Sequence, residues 1–133
     1  MSAPAVTAVQ EAVEQVRDHF AEAVVTAVPD GGGGVYVVVD PVPVGDHYTV
    51  QETWLGFQIT AAYPDADIYP HYTGLLARAD GQPHGQPVQQ IAEWQGRLGG
   101  PVLQISRRSN QWNPAVDSAV NKSVRILAWL ADQ

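Results

Sequence analysis

The chain has 133 residues, 45% of them hydrophobic and 16% charged, the size and makeup of one folded domain and too apolar for an intrinsically disordered chain. Fourteen acids against seven basic residues give a net charge of −7, and twelve of those acids lie in residues 1–96 with only Arg17 and Arg78 to balance them. Such a chain is a poor match for nucleic acid or an anionic membrane, and the lack of any cysteine excludes a disulfide framework, a thiolate metal site and a thiol nucleophile.

Val6, Val9, Val13, Val16, Phe20 and Val24 recur at steps of three or four, which stacks them on one face of a helix. Ser2 is placed to cap that helix and Pro4 to sit in its first turn, where no N–H is needed. Pro29-Asp30 and the four glycines at 31–34 end it. The glycine run is not a phosphate loop, because such loops follow a strand and open a helix, whereas this one follows a predicted helix and opens a strand.

Residues 35–39 are β-branched apart from Tyr36 and predict a strand, which Pro41 and Pro43 bend or confine to an edge. Gly45-Asp46 turns into a second strand over 48–62, where Leu55, Phe57, Ile59 and Ala61 alternate with Trp54, Gln58 and Thr60. A third strand is expected over 72–79. Residues 80–101, rich in Gly, Pro and Gln, read as one long connection anchored by Ile91 and Trp94; unstructured loops of this length are usually functional or mobile. A short strand at 102–105 follows. Asn113 then caps and Pro114 opens a last helix, with Val116, Val120, Val124 and Leu127 on one face. The result is a single α+β domain over residues 1–133, in the order helix, three-stranded meander, long loop, helix.

Little local chemistry stands out. His19, His47, His71 and His84 show none of the spacings of a metal site, and no Gly-x-Ser-x-Gly elbow is present, so neither a metal nor a cofactor is expected. Met1-Ser2-Ala3-Pro4 has no basic segment leading an apolar stretch, and no apolar run nears the roughly 20 residues of a membrane span, so a cytoplasmic protein is expected. Residues 97–133 reverse the charge: Arg97, Arg107, Arg108, Lys122 and Arg125 face only Asp117 and Asp132, and Arg107-Arg108 forms a local basic spot.

The last third carries a resemblance. Gly100-Pro101-Val102-Leu103-Gln104-Ile105-Ser106, then Trp112-Asn113-Pro114-Ala115 and an apolar helix, resembles the segment of ubiquitin-conjugating enzymes in which a Cys-Leu-x-Ile run precedes Trp-Ser-Pro-Ala and a helix. Tyr63-Pro64 is similar to that family's Tyr-Pro at the end of its third strand. The run from Ile105 to Trp112, with Trp94-Gln95 before it, resembles a divergent bacterial branch of the superfamily. The resemblance implies a UBC-like α+β fold: an N-terminal helix, an antiparallel meander of three to four strands, a long loop and a C-terminal helix.

The departures from the family's pattern determine what the resemblance implies about mechanism. Gln104, or Leu103 by a one-residue slip, stands where the family has its cysteine, and a glutamine amide cannot carry a thioester. The family's His-Pro-Asn element is missing, with Pro83-His84-Gly85 in its region. The expectation is a non-catalytic binding or adaptor module, working beside a bacterial ubiquitin-like conjugation system and contacting a ubiquitin-like protein or another component of that system. Its partner-facing residues would be His84, Trp94, Gln104, Arg107 and Arg108, around the 82–97 loop and the former cysteine position. Two alternatives stay open. One is an acidic secretion-type chaperone or other small binding domain. The other is an enzyme using His47, His71 or His84 with Asp46 or Asp67.

Overall fold

The computed structural model describes residues 4–133; the capping role expected of Ser2 lies outside them. Helix α1 spans Thr7–His19, followed by strands β1 Val24–Pro29, β2 Val35–Pro43, β3 Glu52–Ile59, β4 His71–Thr73, β5 Val88–Ile91 and β6 Val102–Ile105, and helix α2 Ala119–Ala131. The six strands form one antiparallel sheet in the order β1-β2-β3-β4-β6-β5, so a four-stranded meander is extended by the β5–β6 hairpin. The expected α+β order, with a helix at each end of an antiparallel sheet, is observed, but the sheet is larger than a meander of three to four strands. No helix among the described residues is long and apolar enough to cross a membrane.

The missing strands were hidden in segments assigned to other structure. Val24 is not the last turn of α1: the helix closes at Phe20, and Val24 begins β1 with 72% of its surface exposed. Val24-Val25-Thr26 is a β-branched run, and its chain is taken up by β2 in register from Val24↔Asp40 to Pro29↔Val35. The glycines at 31–34 therefore join two strands. Asp30 holds their turn by accepting from the Gly32 and Gly34 N–H groups at 2.7 and 3.0 Å, and Gly31 and Gly33 supply the positive φ angles. Pro4 lies ahead of α1, and Val6 occupies the cap position without a side-chain bond; its N–H is met instead by Gly33 O at 3.0 Å.

The second and third strands are shorter than expected, ending at Ile59 and Thr73, and the 80–101 connection contains β5. Alternation in β3 holds: Leu55, Phe57 and Ile59 are fully buried toward the helices. Both helices share that side of the sheet, where Val9, Val16, Val37, Val39, Phe57, Ile105, Ile126 and Leu130 form a continuous core. The opposite face carries Tyr36, Val38, Trp54, Tyr72, Ile91 and Val102, and the 92–101 segment folds back over it to insert Trp94.

Helix α2 is capped five residues later than expected, at Ser118 rather than Asn113, and uses a different face. Ser118 caps it, accepting from the Asn121 N–H at 3.1 Å. Its buried residues are Ala119, Lys122, Ser123, Ile126 and Leu130, while Val116 and Val124 are 66% and 42% exposed. Asn113 instead accepts from the Ala115 N–H at 2.9 Å, stabilising a turn before the helix.

Candidate functional site

Between the 107–110 segment and α2 lies a cleft of about 240 Å³. Arg107, Arg108, Ser109 and Asn110 line one wall; Lys122, Arg125, Ile126 and Trp129 line the other. The helical residues recur at three- and four-residue steps and so share a face. Four of the chain's seven basic side chains thus converge on one opening in a protein of net charge −7.

The cleft is anchored by a buried polar knot. Lys122, 3% exposed, donates to both Asp67 carboxylate oxygens at 3.0 and 3.1 Å and to Ser109 Oγ at 2.8 Å. Asp67 also accepts from the Ser109 N–H at 2.7 Å and the Ser109 hydroxyl at 3.2 Å. Burial raises the Asp67 carboxyl, but the Ser109 N–H, Lys122 and the Ile68 N–H together hold it below its usual range. Lys122 is also held below its usual range: burial outweighs the help of Asp67, and Arg125 and Arg107 repel the ammonium further. A Ser–Lys nucleophile pair would need a neutral amine to take the serine proton. Asp67 favours the ammonium form, and the hydrogen bonds of the knot tie the 107–110 segment to α2.

The two arginines on the opposite wall are held by rings rather than carboxylates. Arg107 lies 4.7 Å over Trp129 and Arg108 lies 4.5 Å over Tyr69, and neither has a salt bridge among the described residues. Arg125 is paired with Asp117. Trp129 is half-buried against the helix-side core, and Arg107 covers part of what remains.

Gln104 sits in β6, paired with Tyr72 of β4 and Gln89 of β5, and its side-chain amide donates to Ser106 Oγ at 3.2 Å. It occupies the face opposite the helices, while Leu103 beside it points into the core. Trp94 is 6% exposed, sealed into the second face of the sheet. Its ring stacks on Tyr72 at 4.4 Å and on Trp54 at 5.9 Å, with Tyr36 edge-on at 6.1 Å. Gly56 makes this possible, since a Cβ there would come within 2.3 Å of the Trp94 ring. Arg97 closes the loop, lying 4.9 Å over Trp54 and pairing with Asp40 at 3.2 Å.

The five residues expected to face a partner therefore fall into different settings. Arg107 and Arg108 share the cleft; Gln104 lies part-exposed on the face opposite the helices; Trp94 anchors the loop over that face. His84 has a ring nitrogen 2.6 Å from Leu76 O, which fastens the 80–87 segment to the preceding one.

His71 is completely buried in β4 against Phe57, and neither ring nitrogen has a hydrogen-bond partner. Burial, then repulsion from Lys122, pushes its pKa down to about 3 despite the opposing pull of Asp67. No three His, Asp or Glu side chains among the described residues are grouped to hold a metal ion. Sequence reasoning missed Asp67, Ser109, Lys122 and Trp129 as one unit; the helical spacing of Lys122, Arg125 and Trp129 was its only local trace.

A larger groove of about 780 Å³ runs along α1 beside β1, but its polar border of Gln10, Glu11, Glu14 and Gln15 belongs to the wet face of that helix. Compared with family models, curated proteins and solved structures, the chain matches none.

Proposed function

We propose that this protein is a non-catalytic member of the ubiquitin-conjugating superfamily. In this reading it is a bacterial, cytoplasmic binding or adaptor module that contacts a ubiquitin-like protein or another component of a conjugation system. The observation that carries the reading is a contact between the two short stretches on which the resemblance rests. Trp112 Nε1 donates to Pro64 O at 2.7 Å across 48 residues of sequence, and Tyr63 Oη accepts from the Ala119 N–H at 3.3 Å at the start of α2. That the two stretches meet in the fold supports the reading. Gln104 on a strand beside a four-stranded meander supports the same reading.

Without a thiol, the module's work would be to hold a partner rather than accept a thioester. Arg107 and Arg108, exposed at the mouth of the cleft, are the residues best placed to steer an acidic partner surface. Isothermal titration against any ubiquitin-like or activating protein encoded beside this chain is the test. Saturable binding to one of them, weakened in Arg107→Ala/Arg108→Ala, is the expected result. No binding to any of them would reject the adaptor role.

A further inference from the structure

We infer that the cleft between the 107–110 segment and α2 is a binding site for a phosphate group, free or carried on a small monoester. Its charge is unbalanced in an otherwise acidic molecule. Arg107, Arg108, Lys122 and Arg125 line it, and only Lys122 and Arg125 have carboxylate partners, Asp67 and Asp117. Two guanidinium charges remain uncompensated. A phosphate carries about −1.5 to −2 at neutral pH with three acceptor oxygens, which matches that excess where a single carboxylate would not.

The donors are also arranged in advance. Trp129 and Tyr69 each support one guanidinium plane at 4.7 and 4.5 Å, so little side-chain freedom is lost on binding. The Lys122–Asp67–Ser109 knot fixes the floor from which Arg107, Arg108 and Asn110 project. Arg125 and Arg107 lie close enough to Lys122 for their charges to oppose its ammonium, although Asp67 pairs with it directly.

A polyanion is a poorer fit than a single phosphate. Residues 1–96 carry twelve acids and two basic groups, and an extended nucleic acid would have to run across that surface. The cleft's volume of about 240 Å³ suits a small anion.

The inference does not rest on the adaptor reading, because its test contains no partner protein. The full chain, labelled with nitrogen-15, is titrated at neutral pH with inorganic phosphate, with glycerol phosphate, and with sodium chloride at matched ionic strength. The Trp129 indole N–H and the Arg107 and Arg108 Nε–H signals are followed. Phosphate or its monoester is expected to shift them along a saturable curve that chloride does not reproduce. Arg107→Ala/Arg108→Ala, whose exposed side chains leave the fold intact, is expected to weaken binding about tenfold or more. Saturation by inorganic phosphate identifies the free anion as sufficient, and saturation by glycerol phosphate alone assigns part of the affinity to the organic group. Linear shifts equal in all three salts, or an affinity unchanged in the double variant, would overturn the inference.

Discussion

The two faces of the sheet are covered by different means. The helix side is sealed by α1 and α2 over aliphatic side chains contributed by most of the strands. The opposite side is sealed by one short loop, whose Trp94 sits among Tyr36, Trp54 and Tyr72 over Gly56. The helix side accordingly tolerates two costly polar features, unpartnered His71 and the buried Lys122–Asp67 pair. The loop side has no such reserve, and its packing depends on a single indole.

That contrast can be broken at Trp94. Trp94→Ala should cost about 3–5 kcal/mol in urea unfolding and leave the 92–101 segment open to limited proteolysis. A loss below about 1 kcal/mol would mean that the rings of the sheet pack without the loop. Next in size is the ion pair on the helix side. Lys122→Met strands the Asp67 carboxylate and should cost about 3 kcal/mol, whereas adding Asp67→Asn should return part of the loss. Equal stabilities for the single and double variants would remove the pair from the account of this face.

His71 sharpens the comparison through pH. Its proton is taken up near the ordinary value of 6.5 in the unfolded chain but only near about 3 in the folded one. Between those values the unfolded state binds the extra proton, so stability falls with falling pH by about 1.4 kcal/mol per unit. Asp67, whose carboxyl is held low in the folded protein, adds a loss in the same direction only as pH drops below its ordinary 3.8. His71→Leu should abolish the slope between pH 6.5 and the onset of carboxylate titration and raise stability at neutral pH by about 1 kcal/mol. An unchanged slope in that variant would assign the pH dependence elsewhere. The smallest effect belongs to Arg97→Ala. Its pair with Asp40 is roughly half exposed, so the loss should be under about 1 kcal/mol, seen mainly as a change in Trp54 fluorescence.

The misplaced elements have a common cause. Val24 continued a helical repeat while also opening a β-branched run, and only the partner strand β2 decided between them. The face of α2 was misread because Ala119, Lys122 and Ser123 do not look apolar; Lys122 is buried there since Asp67, 55 residues earlier, meets its ammonium. β5 went unseen because Gln89 and Gln90 on a peripheral strand need no apolar alternation, and β6 supplies the pairing.

What the sequence alone determined was whatever depends on local period and composition: an amphipathic first helix, the alternating Leu55-Phe57-Ile59 strand, the short strand before a terminal helix, and the absence of thiol chemistry. What only the tertiary structure decided was which distant groups meet. Asp67, Ser109, Lys122 and Trp129 come from three separate segments, and their convergence with Arg107 and Arg108 follows from the packing of the 107–110 segment against α2. A linear pattern records which side chains can share one element's face; ion pairs and stacked rings between elements are set by long-range packing, which leaves no period to read.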